Sequence, residues 1–363
     1  NPPSAQGWDK SQPLQSCYSY SSATSAELDK ALIVAKGHEQ HWANVPVTTR
    51  CACIKKLANI LRKKRGALIG AIIKDGGKSF AEADSEVSEA IDFAEYYVDV
   101  MQRMHLCTDL ELSPKGTYLV ASPWNFPIAI PAGSIIGALL AGNCILFKPA
   151  SETVLCGHLL VRCFWEAGID QNVLQFIPTA DDPEGSNLIR DARLTGVILT
   201  GSTETAQHFI SLRPNLEISA ETGGKNSMII TALADRDQAV RDLLHSAFGH
   251  NGQKCSATSL AICEHEVYHD STFRRQLRDA AASLHVGSAW DMSSKITPLI
   301  KQPSEKLLRG LTRLEPGEEW LLEPRQDTRN PKLWSPGIKL GVKKGGFTHQ
   351  TELFGPVLGI MCA

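Results

Sequence analysis

Between residues 117 and 230, short aliphatic or β-branched runs alternate with stretches of helical period: TYLVAS, a helix over 128–141, NCILFKPA, a helix ending at Gly168, VLQFIP, GVILTGS, another helix, and NSMIIT. Strand and helix in turn predict a parallel sheet with helices on both faces, an α/β fold. Ligands of such sheets bind beyond the carboxyl ends of the strands. The residues directly after the runs are therefore the candidates: Asn125 after TYLVASPW, Lys148 after NCILF, Gly201 and Ser202 after GVILT, and Glu221 before TGGKN.

Helices precede this region. Thr24 and Glu27 form a capping box that opens a helix through AELDKALIVAKGHEQHWAN. A second helix starts at about Thr48 and carries Arg62, Lys63, Lys64 and Arg65, which read as a solvated face. From Phe80 the apolar positions Phe80, Ala83, Val87, Ala90, Ile91, Ala94, Tyr97, Val98 and Met101 recur at threes and fours, predicting a long amphipathic helix. Later, a helix from about Arg236 to His250 leads into NGQKCSATS, after which SLAICE resumes strand character. A chain of 363 residues, 43% hydrophobic, suits two domains.

The 22-residue run from Phe126 to Phe147 carries no charge and is long enough to span a bilayer. Pro127, Pro131, three glycines and Asn143 interrupt it, and no second such segment accompanies it. It is expected to be a buried helix running into a central strand. With 37 basic against 39 acidic side chains the formal charge is -2, so no global field favours nucleic acid or an anionic membrane. Cysteines such as Cys144 in NCILF and Cys163 in VRCFW read as buried thiols of a reducing, cytoplasmic compartment. Cys51 and Cys53 lack the partners of a zinc site, so neither metal nor disulfide is expected. The start, NPPSAQGWDK, lacks the charged and apolar regions of a signal peptide.

Cys255 stands apart from the other nine cysteines. It sits in NGQKCSATS between Lys254 and Ser256, with no apolar neighbour large enough to bury it. Singly, Asn125, Lys148, Ser202 and Glu221 read as a turn residue, a snorkelling lysine, a cap and a surface acid. With Cys255 they supply a nucleophile, a base, an amide donor and a cation. A cysteine hydrolase would need a histidine paired with Cys255, and His250 lies five residues before it without a recognised spacing.

Six stretches, SPWNFP (122–127), FKPAS (147–151), LTGST (199–203), ETGGKN (221–226), GQKCS (252–256) and ELFGPVLG (352–359), occur in the order and at the approximate separations of the aldehyde dehydrogenase superfamily, which the chain resembles over nearly its whole length. The resemblance implies a Rossmann-like NAD-binding domain with N-terminal helices over 1–222 and a second α/β, catalytic domain over 223–363. It makes Cys255 the catalytic thiol, Glu221 the general base and the Asn125 amide an oxyanion donor. Cofactor contacts fall to Trp124, Lys148, Ser151, Gly201, Ser202, Glu352 and Phe354, with backbone N–H groups at the Ser202 helix start suited to phosphate. Many NAD-selective members carry an acid three residues after the lysine, where this chain has Ser151; NAD is the implied cofactor and NADP use stays open.

Within the superfamily the resemblance is to the L-glutamate γ-semialdehyde dehydrogenases of proline catabolism, including the dehydrogenase part of bifunctional proline-utilisation proteins. It rests on GQKCSA, ETGGKN and the 298–360 region. Ser256 and Lys254 then serve the substrate, Ser256 through its α-carboxylate; a filler role for Ser256 weighs equally. Other readings are a dehydrogenase of another carboxylated aldehyde, such as succinate semialdehyde, and a non-catalytic module of the same fold. Implied partners are a small aldehyde, further copies of the full-length chain, and a proline dehydrogenase domain on the parent polypeptide. The family pattern continues for roughly another hundred residues past FGPV. The expectation is thus an incomplete catalytic domain, lacking its substrate anchor loop and leaving a sheet edge unpaired.

Overall fold

The computed structural model describes residues 5–14, 16–109 and 111–363. The start of NPPSAQGWDK, residues 1–4, lies outside the described residues. The chain divides into two compact units. The first takes the N-terminal residues up to Asp9, Leu14–Gly76 and Ala83–Thr222; the second takes Lys10–Pro13, Gly77–Glu82 and Gly223–Ala363.

In chain order the first unit's elements begin with β1 (Ala5–Trp8) and β2 (Ser16–Tyr20), an antiparallel pair. Four helices follow: α1 (Ser25–Ala43), α2 (Val47–Lys63), α3 (Arg65–Ala71) and α4 (Phe80–Leu106), the last belonging to this unit from Ala83 onward. Next come β3 (Thr117–Ala121), α5 (Ala129–Leu140), β4 (Cys144–Lys148), α6 (Val154–Ala167) and β5 (Leu174–Phe176). The unit closes with α7 (Ser186–Arg190), β6 (Gly196–Gly201), α8 (Thr203–Leu212) and β7 (Glu217–Thr222). Its five-stranded sheet runs β5-β4-β3-β6-β7 with every pair parallel. Counted from β3 that is the order 3-2-1-4-5, in which a crevice opens beyond the carboxyl ends where the order reverses between β3 and β6.

The uncharged run over 126–147 forms α5, a turn and the central strand β4. Among the described residues no helix is long and apolar enough to cross a membrane. The Thr24–Glu27 capping box opens α1, with the Thr24 N–H donating to Glu27 at 2.8 Å. Gly168 ends α6 at φ 107, a left-handed position that favours glycine. Arg62 and Lys63 are exposed and Lys64 and Arg65 half-buried, a solvated face on which Arg62, Lys64 and Arg65 pair with Glu95, Glu166 and Asp84 of α4 and α6. One expectation needs correction. On α4, Ala83, Val87, Ala90, Ile91, Ala94, Val98 and Met101 are buried, but Phe80 in the first turn is 40% exposed; a periodic position at a helix end can lie beyond the packed face.

The second unit runs β8 (Ser227–Ile230), α9 (Arg236–Phe248), β9 (Leu260–Cys263), α10 (His265–His269), α11 (Ser271–Ala282), α12 (Glu305–Thr312), β10 (Glu319–Leu322), β11 (Gly337–Leu340), α13 (Phe347–Gln350) and β12 (Val357–Cys362). Its sheet order is β10-β11-β12-β9-β8, antiparallel at β10–β11 and parallel elsewhere, which leaves β8 as an edge. Phe248, Phe273, Leu277, Ile338, Leu358 and Ile360 lie in its core. The helix expected to reach His250 stops at Phe248, because His250 and Asn251 take left-handed backbone (φ 47 and 56). All ten cysteines are unbridged, with Cys144 and Cys163 buried.

Candidate active site

Three of the six sequence segments sit at carboxyl ends of strands in the first unit. After β3, Asn125 is buried and Trp124 half-buried in the loop before α5. That loop is pinned where the helix begins: the N–H groups of Ile128 and Ala129 donate to Glu86 Oε1 at 2.8 and 3.2 Å, a buried carboxylate satisfying donors that the first turn of a helix leaves open. β4 ends on Lys148, whose Nζ pairs with Asp181 at 2.7 Å. Ser151 begins the turn into α6 and is exposed. β6 ends on Gly201, and Ser202 caps α8 by accepting from the Thr205 N–H at 3.1 Å. Glu221 is the penultimate residue of β7, in register with Thr200 on β6, and exposed.

The other segments interlock within the second unit. Gly224 N–H donates to Glu352 Oε1 at 3.2 Å, and a Cβ on Gly223 would fall 2.3 Å from both oxygens of that carboxylate. Gly223 thus lets the backbone close on Glu352. Two residues on, Asn226 Nδ2 donates to the carbonyls of Cys255 and Ala257, clamping the turn that carries the thiol. A Cβ on Gly252 would meet the Gly355 carbonyl at 2.3 Å, so the cysteine loop and ELFGP pack backbone on backbone. A crevice between them is lined by Gly224, Lys254, Ala257, Glu352, Phe354 and Gly355.

Cys255 is half-buried in a turn and Ser256 is exposed. Just upstream the chain is strained: among the described residues the non-glycine positions with positive φ are His250, Asn251 and Phe354, all in these two loops. Such conformations cost roughly 1–3 kcal/mol each and cluster where function demands a particular geometry. Other contacts hold the strain in place. The His250 N–H donates to Glu82, Asn251 Nδ2 donates to the Thr297 carbonyl at 2.9 Å, and Gln253 Oε1 accepts from the Ile300 N–H at 3.0 Å.

Burial holds the Lys254 ammonium below its ordinary value, against the pull of Glu82, and Lys78 pushes the same way as burial. Its Nζ lies against Gly249, where a Cβ would come within 2.6 Å. His250 is fully enclosed, and burial, then Lys78 and Lys254, push it well below the usual imidazole value. Neither ring nitrogen has a hydrogen-bond partner, so the imidazole is not the base of a cysteine–histidine pair and the hydrolase reading loses its required element. Lys225, buried beside Glu352, is lowered to about 8 by desolvation, which Glu352 opposes. No group of three or more His, Cys, Asp or Glu side chains among the described residues could hold a metal ion.

Sequence reasoning missed Glu86, Asn226, Asp181 and Glu82. Glu86 and Asn226 act across separations of 42 and 29 residues, and no local pattern announces such partners.

Residues 10–363 match the profile of the aldehyde dehydrogenase family. The bifunctional protein PutA of Escherichia coli (strain K12) is 33% identical over 358 residues, which cover 93% of this chain and 26% of that protein. The structure of proline utilization A (PutA) from Corynebacterium freiburgense superposes with a TM-score of 0.88 at 41% identity, covering 94% of this chain and 35% of that one. A 1-pyrroline-5-carboxylate dehydrogenase from Thermus with bound NAD superposes at 0.91 with 28% identity, covering 99% and 73%. The chain spans about a quarter of the curated PutA relative's length. With a matched profile across nearly every residue and the fold shared throughout, the chain belongs to the aldehyde dehydrogenase family.

Proposed function

We propose that this chain is a dehydrogenase that oxidises L-glutamate γ-semialdehyde to L-glutamate with NAD, the first unit holding the cofactor and the second the catalytic thiol. The observation that carries the reading is the strained, clamped turn at Cys255: three successive left-handed residues, His250, Asn251 and Gly252, lead into a half-exposed thiol whose carbonyl is held by Asn226. Relatives named PutA and 1-pyrroline-5-carboxylate dehydrogenase supply the substrate class.

The residues of the first unit fit a dinucleotide. The sheet has the 3-2-1-4-5 order. At Gly201 an added Cβ would meet nothing nearer than Leu199 Cδ1 at 3.4 Å; packing does not require glycine there, but close approach by a ligand does. Lys148 would hold the adenosine ribose with Ser151 beside it, Ser202 and the α8 start the phosphates, and Trp124 the loop facing them. Glu352 and Phe354 would hold the nicotinamide ribose and ring. When bound, NAD accepts the hydride released by oxidation.

The chain's own groups do the rest. Cys255 attacks the aldehyde carbon as a thiolate, which the charge on Lys254 favours. The Asn125 amide and the Cys255 N–H stabilise the oxyanion, and loss of one such donor typically costs about 10²–10³ in rate. Glu221 takes a proton from the water that hydrolyses the thioester. Ser256 and Lys254 meet the substrate's carboxylate. Ten unbridged thiols support a reducing, cytoplasmic setting. Where the full-length polypeptide is bifunctional, a proline dehydrogenase domain would supply the substrate.

The test is NADH formation by the chain with NAD and glutamate γ-semialdehyde. Cys255→Ser is expected to abolish it, and Glu221→Gln to give one rapid burst and a trapped thioester. Steady NADH production in both variants would end this assignment.

A further inference from the structure

In a sheet of this order the second strand of the sheet in chain order ends beside the adenosine ribose of a bound dinucleotide, where a carboxylate reads the 2′-hydroxyl and a cation accommodates a 2′-phosphate. That strand is β4, and it ends on a cation, Lys148. Taken alone, with Ser151 rather than an acid three residues later, this corner would welcome the phosphate of NADP.

Two carboxylates reverse its sign. Asp181, in the turn after β5, pairs with Lys148 Nζ at 2.7 Å. The lysine side chain is only 15% exposed and the aspartate 92%, so the cation lies inside and the anion faces solvent. Ser151 Oγ donates to Glu152 Oε2 at 3.1 Å; the hydroxyl that could bind a phosphate oxygen is engaged by a negative group. Tyr20, whose hydroxyl lies 3.5 Å from the Ser151 carbonyl, registers the same field: burial first, then Glu152 and Asp75, raise its phenol. A 2′-phosphate brings a charge of about −1.5 to −2 to a corner where Asp181 already pairs with the ammonium and Glu152 already engages the serine hydroxyl.

We propose that Glu152 and Asp181 are specificity-determining residues that make this corner accept the 2′-hydroxyl of NAD and reject the 2′-phosphate of NADP, replacing the acid absent at position 151. The proposal rests on the cofactor site assigned above. Asp181 is exposed and Glu152 half-buried, and neither belongs to the sheet's packed core; circular dichroism checks that their neutral isosteres leave the fold intact.

The experiment is calorimetric titration of the chain with NAD and with NADP, which differ only by the 2′-phosphate, for the wild type, Glu152→Gln, Asp181→Asn and the double variant. The wild type is expected to bind NAD much more tightly. Each neutralised carboxylate is expected to tighten NADP, reaching about tenfold in the double variant, the scale of two like charges removed from a solvated site, and the gain should shrink with added salt. Equal wild-type affinities, or NADP binding that does not tighten in the double variant, overturn the proposal while leaving the cofactor site standing. Binding of neither nucleotide by the wild type overturns the cofactor site and this inference with it.

Discussion

Lys225 follows Gly223, which closes on Glu352, and Gly224, whose N–H donates to it, and its ammonium is buried without a hydrogen-bond partner. Burial lowers it to about 8, below the roughly 10.4 of an unfolded chain. Between those values the unfolded state binds more protons than the folded one, so this group makes stability rise with pH across that window and fall again toward pH 8. Lys225→Met removes the slope. Urea midpoints at pH 8 and pH 10 should show the wild type gaining on the variant at the higher pH; parallel midpoints would refute the burial account. The thiol's setting was readable at this scale, since Lys254, Ser256 and the small neighbours of Cys255 are adjacent in sequence. The Asn226 clamp was not, because it reaches the Cys255 carbonyl from 29 residues away.

At the scale of elements, helix starts divide into those capped locally and those capped from afar. The α1 cap could be read directly, because Thr24 and Glu27 are three residues apart and satisfy each other's donors. The start of α6 depends instead on Asp75, which accepts from Leu155 and Cys156 at 3.0 and 3.3 Å while receiving the Tyr18 hydroxyl at 2.7 Å. The start of α5 depends on Glu86. Glu86→Ala strands two buried donors, a loss of about 1–3 kcal/mol, and frees the loop that carries Asn125. Hydrogen exchange should speed up at the Ile128 and Ala129 amides, and the urea midpoint should fall. Unchanged protection at both amides would remove Glu86 as the cap. Thr24→Ala should cost about 1 kcal/mol without affecting those amides.

Over the whole molecule, two sheets each end in an exposed strand. On β8, at the edge of the second unit's sheet, Ile229 is 70% exposed, and Leu233 just beyond is 97% exposed. Unpaired backbone groups beside apolar side chains template strand addition. Sedimentation velocity should therefore detect concentration-dependent association of the chain, weakened in Ile229→Lys; identical profiles would mean that this edge takes no part. The alternation of strand and helix, the buried character of 126–147 and the segments bearing Asn125, Lys148, Gly201, Glu221 and Cys255 were all determined by sequence, because periodicity, turn chemistry and motif spacing are local properties of a chain. Tertiary structure alone decided that Glu86 caps α5, that Asn226 holds the cysteine turn, that Gly252 rests on Gly355, and that Asp181 neutralises Lys148. These contacts join residues far apart along the backbone, and their partners become known only once packing has fixed where each strand and helix returns.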